Sequence, residues 1–255
     1  MPAPANTLKM ALERGDQQYG LWLTLANATV AEIAGHAGFD WCLIDGEHGP
    51  NTLQTIAAQL QALAGTETQA VVRVPVGEDW ILKQVLDLGV QTIVVPMVHT
   101  AEQAAQVAAA VRYPGKGVRG MGAALARASN YGEIVDYVSS ANEQICLFVQ
   151  IESAEAVRNI DAIAATDGVD GVFVGPADLS ADMGFVGQMN APEVLSAIDH
   201  VYARTKAAGK IIGTVSFDQA EYQTQVDKGV TFLGLGADAM LLSQALKSVA
   251  LKAPT

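Results

Sequence analysis

The chain has 255 residues, half of them hydrophobic and only 16% charged, with a formal net charge of −12. That length and apolar content suit a single large domain and exclude a disordered chain. The acidic balance, without any cluster of Lys and Arg, argues against a nucleic-acid partner. Met1-Pro-Ala-Pro-Ala-Asn6 lacks the basic start and apolar core of a secretory signal. No uncharged apolar run approaches the length of a membrane span, so no membrane partner and a cytoplasmic location are expected. Cys42 and Cys146 each lie in an apolar run, where the usual role is a small buried hydrophobe; two isolated cysteines make neither a disulfide framework nor a zinc motif.

Strand-like runs alternate with helical patterns from one end to the other. Four strands are expected at Gly20–Leu25, Asp40–Ile44, Ala70–Val74 and Gln91–Val95. Four more are expected at Ile145–Ile151, Gly171–Val174, Lys210–Val215 and Thr231–Leu235. Between the fifth and sixth, Ala154, Val157, Ile160 and Ile163 recur on one helical face, with Ser153 placed as the cap and Glu155 in the first turn. Near-continuous apolar strands separated by helices imply a parallel sheet covered on both faces. Eight such units in about 250 residues predict a (β/α)8 TIM barrel, one domain over 1–255, with a doubly wound open sheet as the alternative. Tyr113 to Asn142 carries additional loop and helix between the fourth and fifth strands. The last helical segment, Asp238 to Val249, opens on Asp238 as a plausible cap. Met240, Leu241, Leu242, Ala245, Leu246 and Val249 spread apolar surface more widely around it than one barrel face can cover, so contact with another subunit is expected.

Barrel active sites lie where the strands end. The second strand runs out in Asp45-Gly-Glu-His-Gly-Pro50, delivering Asp45, Glu47 and His48. The third ends near Arg73, the fifth in Gln150-Ile-Glu152, and the sixth in Gly175-Pro-Ala-Asp178. Any one of these has an ordinary structural explanation: a lone Asp after a strand is a turn or cap residue, and a lone His is more often structural. Four strands sending polar groups to one rim form a candidate site. Arg73 and Glu152 stand out because a charged group ending an apolar strand must be paired or bind a ligand. Two carboxylates on adjacent strands, Glu152 and Asp178, suit a hard divalent cation that keeps positions for substrate oxygens and water. His36, His99 and His200 lack zinc spacing. Gly115-Lys-Gly-Val-Arg-Gly120 matches a dinucleotide fingerprint by letters only, since no strand precedes it and no helix follows. Lys210 begins its strand, and the other lysines fall in helical, terminal or loop segments, so Schiff-base chemistry is disfavoured.

Asp45-Gly-Glu-His-Gly49, Arg73-Val-Pro75, Gln150-Ile-Glu152 and Gly175-Pro-Ala-Asp-Leu-Ser-Ala-Asp-Met-Gly184 resemble the motifs of metal-dependent (class II) pyruvate aldolases. The resemblance is to the 4-hydroxy-2-oxoheptane-1,7-dioate aldolase group, which serves aromatic compound catabolism, and to the 2-keto-3-deoxy-sugar-acid aldolases. It extends from about Gly20 to Leu246 and includes Gly117-Val-Arg-Gly120 and Leu125-Ala-Arg-Ala-Ser129. It implies a barrel of the phosphoenolpyruvate/pyruvate superfamily, with Mg, Mn or Co held by Glu152 and Asp178, and Arg73 steadying a pyruvate enolate. By the same resemblance His48, with Asp87 behind it, serves proton transfer through water on the metal, and Asp45 is an acid beside Arg73. Gln150, Gly175, Ala177, Asp178 and Trp22 are implied contacts of the small-molecule substrate. The family assembly implied is a hexamer of domain-swapped pairs. The expected activity is reversible cleavage of a 4-hydroxy-2-oxoacid to pyruvate and an aldehyde. Its alternatives are an acyl-CoA lyase of the same superfamily and a non-catalytic binding barrel. Gly213-Thr-Val-Ser-Phe217 and Gly234-Leu-Gly-Ala-Asp238, which diverge from the family pattern, are expected to shape the aldehyde pocket.

Overall fold

In the computed structural model, residues 1–251 are described; the last four residues of the expected 1–255 domain lie outside them. Eight strands close into a barrel: β1 (Gln18–Leu23), β2 (Trp41–Asp45), β3 (Gln69–Arg73), β4 (Thr92–Val95), β5 (Cys146–Ile151), β6 (Gly171–Val174), β7 (Ile211–Val215) and β8 (Phe232–Ala237). Each pairs in parallel with its sequence neighbour, and β8 returns to β1, which excludes the open sheet.

The strands read as unbroken apolar runs because both of their faces are covered. Along β2, Cys42 and Ile44 point outward and join the packing of the surrounding helices, whereas Trp41 and Leu43 point into the barrel. The interior is filled by Trp22, Trp41, Leu43, Val71, Val94, Cys146, Phe148, Phe173 and Phe232. Phe232 stacks against Trp41 at 4.0 Å and Phe148 at 4.5 Å between ring centroids, and Trp22 meets Trp41 edge-on at 5.6 Å. Two glycines make this aromatic fill possible. A Cβ at Gly20 would overlap the Trp41 ring, and one at Gly234 would overlap Trp22.

The base, where the strands begin, is closed by the helix Thr7–Glu13, whose Leu8 and Leu12 join the interior cluster. Asn6 caps that helix by accepting from Lys9 N–H at 3.0 Å, and its Nδ2 donates to Thr92 Oγ1 at 3.0 Å. Residues 113–142 also lie at this lower end, since Ala3 N–H donates to Ser140 Oγ there at 2.8 Å. The opposite end, where the strands finish, is left open for polar groups.

Local geometry departs from the sequence expectation in three places. β1 ends at Leu23 because Asp238 takes over the next backbone donors, accepting from Thr24 N at 2.9 Å and Leu25 N at 3.1 Å. Asp238 is therefore not a simple cap; it lies inside the first turn of its helix and ties the end of β8 to the end of β1. The helix expected after Ser153 does start there, with Ser153 Oγ accepting from Ala156 N at 3.1 Å, but it breaks at Asn159 into Ala154–Arg158 and Ile160–Ala164. Asn159 turns its side chain to the His99 carbonyl at 2.8 Å. Among the residues of helix Asp238–Ala250 only Asp238 is buried, and Leu241, Leu242, Leu246 and Val249 are exposed.

Candidate active site

Asp45 and Arg73 are register partners on β2 and β3, so their side chains enter the rim side by side. The guanidinium forks onto the carboxylate, Nε to Oδ1 at 2.9 Å and Nη2 to Oδ2 at 2.7 Å, a planar bidentate pair. Its remaining terminus, Nη1, lies 2.9 Å from Glu47 Oε2. Burial would lower the Arg73 pKa, but the hydrogen bond and charge of Asp45, with Glu47 and Glu152, raise it above its ordinary value.

The turn after β2 is built around the same carboxylate. Asp45 Oδ1 accepts from the backbone N–H of Glu47 at 3.1 Å and of His48 at 3.3 Å, and Asn51 Nδ2 holds the Asp45 carbonyl at 2.8 Å. Gly46 and Gly49 permit the tight path: a Cβ at Gly46 would lie 2.8 Å from the Arg73 carbonyl, and one at Gly49 would lie 2.6 Å from that of Asp45. The result points Glu47 inward toward Arg73 and leaves the His48 side chain 65% exposed, its Nε2 4.0 Å from Glu47 Oε2.

Across the rim, Gln150 and Glu152 extend the inward-facing phase of β5. Gln150 Nε2 donates to Glu152 Oε1 at 2.6 Å, and Met97 N–H donates to Glu152 Oε2 at 3.1 Å. Met97 makes that bond from a left-handed backbone, φ 57°, that a non-glycine residue adopts only at a cost. Burial, reinforced by the charges of Glu47 and Asp178, pushes the Glu152 carboxyl up to about 7 despite the Met97 hydrogen bond and Arg73. Glu47 is raised too, first by burial and then by Asp45 and Asp178, against Arg73 and His48. Gly175 is a cradle for this group, since a Cβ there would overlap Glu152 Oε1. Pro176 then starts the short helix Pro176–Asp182, which sets Ala177 and Asp178 in its first turn with no side chain capping it.

This donor set fits a hard cation. Glu152 is a buried carboxylate whose charge is unfavourable as the site stands, the charge of Asp178 adds to that cost, and Gln150 Oε1 is buried without a hydrogen-bond partner among the described residues. No three His, Cys, Asp or Glu side chains converge on one point among the described residues. A hard cation such as magnesium typically needs only one or two protein carboxylates, the remaining positions being filled by substrate oxygens and water.

The rim therefore gathers Asp45, Glu47, His48, Arg73, Gln150, Glu152, Gly175, Ala177 and Asp178. Trp22 lies below them as the top of the interior aromatic fill, 5.6 Å from the Phe173 ring. Asp87 is not among them. It ends the helix Asp79–Asp87, which runs from the rim back to the base, and there its Oδ1 accepts from Arg119 Nη2 at 2.7 Å. Within one chain Asp87 cannot stand behind His48, because the helix carries it the length of the barrel away. The sequence pattern also gave Glu47 no role, although its position in the Asp45–Gly49 turn was visible. It gave no sign of Met97, whose contribution is a backbone N–H.

Fold and rim together define a closed parallel barrel whose open end gathers a clamped arginine and buried carboxylates. The chain belongs to the HpcH/HpaI aldolase/citrate lyase family, whose model matches residues 18–245. It is 49% identical over 249 residues to a hydroxypyruvate/pyruvate aldolase of Agrobacterium fabrum, covering 98% of this chain and 94% of that one. It is 48% identical over 244 residues to a 2-keto-3-deoxy-L-rhamnonate aldolase of Salmonella gallinarum, covering 96% and 91%. Among solved structures, an HpcH/HpaI aldolase/citrate lyase family protein from Burkholderia cenocepacia superposes with a TM-score of 0.94 at 38% identity, over 97% of this chain and 99% of that one.

Proposed function

We propose that the rim operates as a divalent-metal aldol site in which Glu152 and Asp178 hold the ion and Arg73 faces the reacting oxygen. The chain is an aldolase that reversibly cleaves 4-hydroxy-2-oxoacids to pyruvate and an aldehyde. Carrying the proposal furthest is the buried Glu152 carboxyl, raised to about 7 beside Asp178 and opposite the doubly clamped Arg73.

Cleavage breaks the bond between C3 and C4. Its electron pair moves to an enolate over C2 and C3, while the C4 hydroxyl proton leaves and the aldehyde departs. A bound divalent ion would supply Lewis-acid stabilisation of the enolate charge. Arg73 donates to the C2 oxygen from a position fixed by Asp45, so little reorganisation accompanies charge development. The substrate carboxylate is received by the N–H groups of Ala177 and Asp178 beside Gly175, with the Gln150 amide alongside. His48, exposed at the mouth, takes the hydroxyl proton through an ordered water and returns it in the synthetic direction. A proton from solvent at the open mouth is taken up at C3, which releases pyruvate.

The relatives' names favour pyruvate or hydroxypyruvate as the enolate-forming partner and a sugar-acid-derived aldehyde as the other. Ser216 and Phe217, after β7, lie beside the open mouth where that aldehyde would sit, and Phe217 is exposed. The exposed apolar stripe of helix Asp238–Ala250 supports an exchanged helix between barrels, and the assembly expected is a hexamer of such pairs. Since Asp87 lies at the base of its own barrel, its proposed partnership with His48 can be met only by a His48 of another subunit.

The test is a panel of 4-hydroxy-2-oxoacids and acyl-CoA thioesters assayed for pyruvate release. Chelation should abolish cleavage of the oxoacids, and added Mg, Mn or Co should restore it. Full activity in thoroughly demetallated protein would overturn the metal assignment, and thioester cleavage without oxoacid cleavage would overturn the aldolase.

A further inference from the structure

Arg119 is a fully buried cation with an incomplete set of partners. Its side chain is 1% exposed, and Nη2 donates to Asp87 Oδ1 at 2.7 Å. The guanidinium lies over the Tyr113 ring, 4.4 Å from the centroid, and beside the Tyr137 hydroxyl, while Nε, Nη1 and the Tyr113 hydroxyl have no hydrogen-bond partner of good geometry among the described residues. Unpaired buried donors are costly, and an apolar side chain of similar volume would relieve that cost. Stability alone does not account for an arginine here.

The surrounding loop is shaped to hold it. Backbone bonds from Val118 N to Ala109 O and from Arg119 N to Arg112 O, both 2.8 Å, pin the segment. A Cβ at Gly117 would run into the carbonyls of Ala109 and Arg112, and one at Gly120 would lie 2.8 Å from the Lys83 chain. The partner, Asp87, is only partly buried, with 26% of its side chain exposed. Arg119 takes Oδ1 and leaves Oδ2 without a protein donor among the described residues. Gly122 stands next to that free oxygen, where a Cβ would come within 3.1 Å. Val118, Met121 and Leu125, on the same segment, are exposed apolar residues.

We infer that Arg119 is a positioning residue for proton transfer: it locks one oxygen of Asp87 so that the other is presented outward to His48 of a neighbouring subunit. This rests on the reading above that Asp87 serves His48 across a subunit contact. Tyr113 holds the guanidinium plane, and the glycines hold the loop, so the carboxylate direction is set before subunits meet. Because Asp87 keeps 26% of its side chain exposed, losing Arg119 does not leave a fully buried charge.

A double-mutant cycle on the full-length assembled enzyme tests this, with Arg119→Met, Arg119→Lys, Asp87→Asn and the combined variants. Arg119→Met should lower kcat for aldol cleavage roughly tenfold or more at nearly unchanged KM and metal affinity, a size typical of directly coupled residues. Arg119→Lys should recover part of the loss. On the Asp87→Asn background the same change should cost less than about twofold, because its route of action is already gone. Equal losses on both backgrounds would make Arg119 merely structural and overturn the inference. So would a slow Asp87→Asn enzyme beside an Arg119→Met enzyme of normal kcat. A normal kcat in Asp87→Asn itself would instead overturn the Asp87 reading, and this inference with it. Should Arg119→Met fail to assemble, Arg119→Lys carries the same cycle, with a partial loss expected that disappears on the Asp87→Asn background.

Discussion

Arg73 is held from three directions by acidic oxygens, two on Asp45 and one on Glu47. A guanidinium restrained in this way keeps its orientation whether or not substrate is present, the condition for stabilising charge as it develops. Removing such a donor typically costs on the order of a hundredfold or more in turnover, so Arg73→Ala should lose at least that in kcat. Arg73→Lys keeps a charge but cannot fork onto Asp45 and should recover only a fraction. Steady-state kinetics settle the matter: near-normal kcat in Arg73→Ala would leave the pair with Asp45 a purely structural one. Glu152 gives a second prediction from the same rim. Its folded-state value of about 7 lies above the ordinary 4.5, so the folded chain keeps a proton that the unfolded chain releases. Without metal, its contribution must therefore be lost as pH rises from 4.5 toward 7, in the opposite sense to a salt-bridged carboxylate. Glu152→Gln removes the titration, so metal-free Glu152→Gln should gain stability relative to the native sequence across that window. Parallel pH slopes in denaturant titrations of the two proteins would contradict this. Metal, which binds the ionised group, should reverse the order above pH 7.

At the scale of elements, the barrel was legible because each strand is apolar on both faces and each is bounded by a helical pattern. Its ends were less so. The end of β1 depends on Asp238, 214 residues from Thr24 along the chain, and no local pattern announces that contact. The break at Asn159 is hidden because Ala154, Val157, Ile160 and Ile163 keep helical period across it. Site residues were legible where they interrupt apolar strands, as Asp45, Arg73, Gln150 and Glu152 do. Met97 was not, since a left-handed methionine has no sequence signature, and the place of Asp87 follows from helix length and direction instead of residue type. The interior offers a sharp test of how closely the elements interlock. Gly234 on β8 lies against the Trp22 ring, directly under the rim. Overpacking a filled core usually costs about 1–3 kcal/mol. Gly234→Ala should lose stability in that range, read by denaturant unfolding, and should perturb Trp22 fluorescence. An unchanged midpoint and spectrum would mean that β8 can shift away from the ring.

At the scale of the whole molecule, His48 and Asp87 are at opposite ends of one barrel, so a site that uses both must be assembled from two chains. The exposed apolar faces of helix Asp238–Ala250 and of the segment around Met121 and Leu125 are surfaces through which such assembly can occur. Complementation separates a shared site from a self-contained one. His48→Ala and Asp87→Asn variants, each prepared alone, should both be slow in aldol cleavage, by about a hundredfold or more where a general base is lost outright. Dissociated, mixed in equal amounts and reassembled, they should regain activity without any intact chain being present. With random partners, a given site draws an intact His48 from one chain with probability one half and an intact Asp87 from its neighbour with the same probability, so about a quarter of sites are restored whatever the symmetry. A self-contained site cannot be rescued, since every chain carries one lesion. Activity that stays at the mean of the two separate variants, in an assembly shown by mass to contain both chains, would exclude the shared site. It would leave His48 to act with Glu47, the carboxylate that lies 4.0 Å away in its own chain.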